Sequence, residues 1–144
     1  MKKEERNAGK ALGTINNQIK RYFEMHCSTP EISGMQGRIL HFLLLNFKDE
    51  AVAPKVIEKN FTIRRATSSK YLMRLEQAGM IERVSDESDA RLKQIKVTQK
   101  AKDLHPLIQK DIERFESILT KGLSQRQLED FFETIEKMSK NLDA

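Results

Sequence analysis

The sequence predicts a mainly helical chain carrying one small β-hairpin. Two periodicities and one ordering lead there. Apolar residues recur at steps of three and four over most of the chain, the mark of amphipathic helices. A single stretch instead alternates, with Ile95 and Val97 set among Lys93, Gln94, Lys96 and Thr98, the period of a half-buried strand. Between Pro54 and Thr98 the elements run helix, tight turn, helix, hairpin, the order of a winged helix-turn-helix.

The first helix is expected from Glu4 to about His26, on Ala8, Leu12, Ile15, Ile19, Tyr22 and Phe23. "CSTPEIS" is a turn, with Ser33 or Ser28 as the cap of the second helix. That helix, "GMQGRILHFLLLNF", is dense enough in apolar residues to be buried. "KDEAVAPK" reads as a loop, and Pro54 belongs in the first turn of a short third helix, where its missing N–H costs nothing. A fourth helix, roughly Arg64 to Gln77, turns Leu72 and Leu75 inward, and Gly79 closes it. "MIERV" and "LKQIKVT" are the two strands, joined by the polar tip "SDESDAR". From Gln99 a long apolar stripe marks a further helix, with a kink or a late start expected at Pro106. Ser124 caps the last helix, which carries Leu128, Phe131, Phe132, Ile135, Met138 and Leu142.

Composition bounds the function. The chain of 144 residues is 38% hydrophobic and 33% charged, globular but polar. No apolar run approaches the ~20 residues of a membrane span, and the basic start "MKKEERNAGK" is followed by no apolar signal core. The single cysteine, Cys27, rules out an internal disulfide framework, and a cytoplasmic protein is the simplest reading. The net charge of +5 is concentrated: residues 53–100 hold 11 Lys or Arg against 6 Asp or Glu, and the rest hold 15 of each. A localised basic segment is the footprint of a phosphate-backbone binder, with a merely solvated basic face as the plain alternative. No P-loop, dinucleotide fingerprint or nucleophile elbow is present. His26, His41 and His105 lack metal-ligand spacing, so neither cofactor nor metal is expected.

The order of elements and three local stretches resemble the MarR family of winged-helix transcriptional regulators. "LMRLEQAGMIERV" resembles the end of that family's recognition helix and the start of its wing. "DARLKQIKVTQKAKDL" resembles the wing itself, with an Asp-x-Arg at the tip, and "SGMQGRILHFL" resembles the second helix. Thr62 departs from the glycine common at the turn, and Ser68 from a frequent apolar residue. The resemblance implies one subunit over 1–144, with residues 33–98 as the DNA-binding core. Residues 1–27 and 99–144 are then dimerisation helices, in keeping with apolar stripes that a small core cannot cover. It also implies a homodimer on a pseudo-palindromic duplex site, acting most often as a repressor.

In that frame the recognition helix lies in the major groove. Arg65, Thr67, Ser69 and Lys70 are the candidates for base edges, and Arg64 and Arg74 for phosphates. Arg91 at the hairpin tip would enter the minor groove, and the resemblance implies that Asp89 orients it. Lys93 and Lys96 would add phosphate contacts. A solvated helix face and a disordered polar loop are the plain alternatives. The resemblance further implies a small aromatic or lipophilic effector, in a cleft lined from Tyr22, Phe23, Phe42 and Phe47, residues that core packing explains equally well. Cys27 is an oxidant-sensing candidate set against an ordinary structural thiol. The rival functions are a winged-helix protein–protein interaction module without specific DNA binding and, behind it, a small enzyme for which no convergent catalytic pair is visible.

Overall fold

The computed structural model describes residues 6–27, 29, 31–89 and 91–143. Its elements are α1 (Ala8–His26), α2 (Gly34–Asn46), α3 (Pro54–Phe61), α4 (Arg65–Gln77), β1 (Ile81–Ser85), β2 (Lys93–Val97), α5 (Gln99–Leu119) and α6 (Gln125–Leu142). Contacts divide the chain into two compact units, Met1–Gln109 and Lys110–Ala144. The expected winged helix-turn-helix lies wholly within the first.

Local chemistry sets the helix ends. Asn7 caps α1 by accepting from the Lys10 N–H at 2.7 Å. The described helix begins after Asn7 rather than at Glu4, a residue outside the described part of the chain. Ser33 and Gln36 form a reciprocal capping box at the start of α2, and the alternative cap, Ser28, also lies outside the described residues. α2 then buries Ile39, Leu40, Leu43 and Leu44. At its first residue, Gly34, an added Cβ would fall on the Phe23 carbonyl and within 2.7 Å of the Phe23 Cβ. α1 and α2 therefore cross at a point where only a hydrogen fits.

Pro54 occupies the first turn of α3, as its fixed φ favours. The turn into α4 places Thr62 in the left-handed region at φ 51° and ψ 49°, a conformation that glycine adopts without penalty and threonine does not. Arg64 is the N-cap of α4 and not its first helical residue. α4 buries Ser68, Leu72 and Leu75. It ends in a Schellman motif: the Met80 N–H donates to the Leu75 carbonyl at 2.9 Å and the Gly79 N–H to the Glu76 carbonyl at 3.0 Å. Gly79 supplies the required positive φ of 75°.

β1 and β2 pair antiparallel, with Ile81 opposite Val97 and Arg83 opposite Ile95. Ile81, Ile95 and Val97 are buried, as period-two alternation requires. The segment expected to be a plain loop before Pro54 contributes to this sheet. Val52 exchanges two backbone hydrogen bonds with Ile95, at 2.9 and 2.8 Å, and is itself buried. The root of the hairpin is tied at both ends. The Thr98 hydroxyl donates to the Gly79 carbonyl at 2.6 Å and accepts from the Ala101 N–H at 3.3 Å, and Lys100 donates to the Ala78 carbonyl at 2.8 Å.

The late start expected at Pro106 does not occur. α5 begins at Gln99 and remains helical through Pro106. The proline forfeits one backbone donor to the carbonyl four residues earlier, a loss that a 21-residue helix with Ile108 and Phe115 buried absorbs. In the second unit a Ser124–Gln127 capping box starts α6. None of its residues is buried, and Phe131, Phe132 and Leu142 are among the exposed large apolar side chains.

Candidate nucleic-acid interface

α4 presents two contrasting faces. Ser68, Leu72 and Leu75 anchor it to the core at steps of four and three, so the residues between them point outward. Arg65, Thr67, Ser69, Lys70 and Arg74 are all exposed, as is the capping Arg64. One flank of the helix faces the hairpin. There a cleft of ≈ 740 Å³ is lined by five cationic side chains, Lys55, Arg65, Arg83, Arg91 and Lys93, against two carboxylates, Glu58 and Asp86. The other flank, with Arg74 and Gln77, faces the start of α2. Lys55 and Arg83 carry no sequence signal of such a role. They come from α3 and β1, and only the fold brings them beside Arg65.

The hairpin tip is built by short-range hydrogen bonds. Asp86 accepts from the Ser88 hydroxyl at 2.7 Å and from its N–H at 2.8 Å, which hold the Asp86 carboxyl below its ordinary value. Asp89 accepts from Arg91 three times: from Nε at 3.2 Å, from Nη2 at 3.3 Å and from the backbone N–H at 3.0 Å. The Arg91 side-chain bonds, then its N–H, hold the Asp89 carboxyl below its ordinary value as well. The fork-on-fork geometry aims a guanidinium that is 91% exposed. Lys93 donates to the Ser85 hydroxyl at 3.1 Å, and Lys96 is half-buried near Asp49.

The ring contacts divide the four expected effector-lining aromatics into two groups. Tyr22 packs edge-on against Phe23 and tilts over His26, and Phe23 is fully buried under the Arg38 guanidinium. Phe42 instead packs against Phe47 and Phe61. Cys27 is half-buried at the C-cap of α1. His41 and His105, scattered in sequence, meet with Nδ1 and Nε2 3.2 Å apart. Burial, and then the positive charge of Lys48, push His105 below its ordinary value. Among the described residues no group of three or more His, Cys, Asp or Glu is placed to hold a metal ion, and no helix is long and apolar enough to cross a membrane.

A sequence model of the MarR family matches residues 31–92, the stretch from the capping box of α2 to the wing. The chain is also similar to the transcription regulator MarR from Oenococcus oeni. The two share 25% identity at a TM-score of 0.75, over 93% of this chain and 99% of that one.

By its sequence over residues 31–92 and by its fold, the chain is similar to the MarR family of transcription regulators.

In fold it is also similar to the MepR–DNA complex of S. aureus, at 23% identity and a TM-score of 0.84 over 95% of this chain and 99% of that one. An uncharacterised HTH-type regulator of Bacillus subtilis, YybA, is 20% identical over 75% of this chain and 71% of its own length. Among MarR-type folds this chain has its helix-turn-helix in α3 and α4 and its wing in β1 and β2.

Proposed function

We propose that the chain binds duplex DNA as a homodimer on a pseudo-palindromic promoter site in the cytoplasm, acts as a repressor and performs no catalysis. The observation that carries this reading is the exposed face of α4. It is cationic from Arg64 to Arg74 and lies beside a wing whose Arg91 is held outward by Asp89. Arg65, Thr67, Ser69 and Lys70 meet base edges in the major groove, and Arg64, Arg74, Lys93 and Lys96 hold phosphates. Arg91 reaches the flanking minor groove, favoured where A·T-rich sequence narrows it.

Residues 1–27 and 99–144 pair with their copies. The exposed Leu12, Ile15, Ile118, Phe131 and Phe132 support that assignment. A small aromatic or lipophilic effector near Tyr22, Phe23, Phe42 and Phe47 weakens DNA binding by changing the spacing of the two reading heads, and oxidation of Cys27 is a second input. The test is selection of bound duplexes from a random pool, followed by affinity measurements over a range of salt. A symmetric consensus and a steep fall of affinity with salt are expected, near −0.9 in logarithmic slope for each phosphate neutralised. A pool that returns no consensus, with binding to acidic protein surfaces instead, would establish the interaction-module function.

A further inference from the structure

Two exposed apolar residues sit at the centre of the α4 face that the proposed function turns toward DNA. Arg65 and Ser69 line the cleft beside the wing, and Arg74 and Gln77 line the opposite flank. Between the flanks, lining neither, run Ala66, Lys70 and Met73, at steps of four and three along one helical ridge. All three are exposed. Met73 is 48% exposed on a helix whose other outward residues are polar or charged, apart from Ala66. This ridge lies opposite Leu72 and Leu75, so it is the part of α4 farthest from the core.

We propose that Ala66 and Met73 read thymine through its 5-methyl group, on either side of a base contacted by Lys70. This deepens the DNA-binding reading above and rests on it. Among the base edges of the major groove only thymine presents an apolar group, and apolar side chains are what contact it. A charged or hydroxyl side chain on this ridge would lose its own hydration against a methyl group, whereas alanine and methionine do not. The two residues suit different reaches. Ala66, in the first turn, lets the backbone approach closely, and Met73, two turns on, extends a flexible thioether that adapts to the groove. Lys70 between them donates to guanine O6 or N7. The half-site read by this ridge therefore contains thymine methyls flanking a guanine.

Replacing thymine by uracil removes the methyl group and leaves every hydrogen-bonding group in place. In the selected duplex, each thymine is replaced in turn by uracil, and affinity is measured at fixed salt with the full chain. At one or more inner positions of each half-site the loss should be about fourfold, the equivalent of one buried methyl. Met73→Ala should abolish that loss at one position and leave the others, Ala66→Ser should do so at a different position, and Met73→Leu should preserve it. Sequence-specific binding that is indifferent to uracil at every inner position overturns this inference and leaves the DNA-binding reading standing. So does a uracil penalty unchanged by both substitutions. A chain that binds all duplexes alike overturns both.

Discussion

Arg91 and Asp89 form a pair whose energetics run against simple charge counting. An acidic residue close to DNA repels phosphate, so its removal would ordinarily tighten binding. Here Asp89 accepts two bonds from the guanidinium and one from the Arg91 N–H, and it thereby confines a long side chain that is otherwise solvent-exposed. Arg91→Ala should weaken binding to the selected duplex by about 1–3 kcal/mol and flatten any A·T preference at its flanks. Asp89→Ala should also weaken it, by less, because it frees the arginine without removing it. Titrations of both variants at one salt concentration decide the matter: tighter binding by Asp89→Ala together with no effect of Arg91→Ala would make the wing a bystander. The cations of α4 were legible in sequence because charges at helical spacing stand out against a single acid, Glu76. Ala66 and Met73 were not, because an apolar residue in a helix reads by default as core. Lys55 and Arg83 were not, because they come from separate elements. Thr62 and Ser68 stood out only through the family resemblance. Thr62 holds the left-handed turn, and Ser68 is buried with its hydroxyl unpartnered.

At the level of elements, the α1–α2 crossing separates two glycines that look equivalent in "GMQG". Gly34 abuts the Phe23 backbone, whereas a Cβ on Gly37 would meet nothing within 4 Å. Alanine at Gly34 must push two helices apart, at about 1–3 kcal/mol. Alanine at Gly37, inside a helix, should instead add up to about 1 kcal/mol through helix propensity. Urea unfolding of the two variants should give shifts of opposite sign, and like signs would show that the crossing yields. Helices with strong periodicity and a recognisable cap were readable from the chain alone, and the strand pair announced itself by alternation. Val52 did not. It pairs with Ile95 through backbone groups, which carry no sequence signal, and a lone buried valine in a polar loop has no period to reveal it. Of the two outcomes expected at Pro106, the late start did not occur, because the apolar stripe on either side outweighed a local breaker.

For the whole molecule, the exposed apolar residues of α5 and α6 set the expected assembly. Light scattering at micromolar concentration should return about twice the 16.7 kDa chain mass. Removal of residues 129–144 should give aggregates or monomers, and a well-behaved full-length monomer would refute the pairing. Stability should also depend on pH through His105. Its native value is lowered, so between that value and the ordinary histidine value of ~6.5 the unfolded chain binds more protons than the folded one. The stabilisation is therefore present above the ordinary value and is lost as pH falls through this window. Urea midpoints compared at about pH 7.5 and about pH 5.5 should show the drop, and His105→Gln should shrink the difference between the two. An unchanged difference would assign the dependence to other groups.

The tie between Thr98 and Gly79 has a consequence for how such a chain diversifies. One 2.6 Å bond spans a sequence separation of 19 residues and, with Lys100 on Ala78, fastens the end of α4 to the beginning of α5. The hairpin is thus an appendage clamped at its root. Its tip is built by bonds among Asp86, Ser88, Asp89 and Arg91 and can be recoded while the clamp and the 3.4 Å Arg83–Glu76 ion pair hold the rest of the hairpin to α4. Under the proposed function, minor-groove preference and major-groove preference can then drift as separate traits within one small protein.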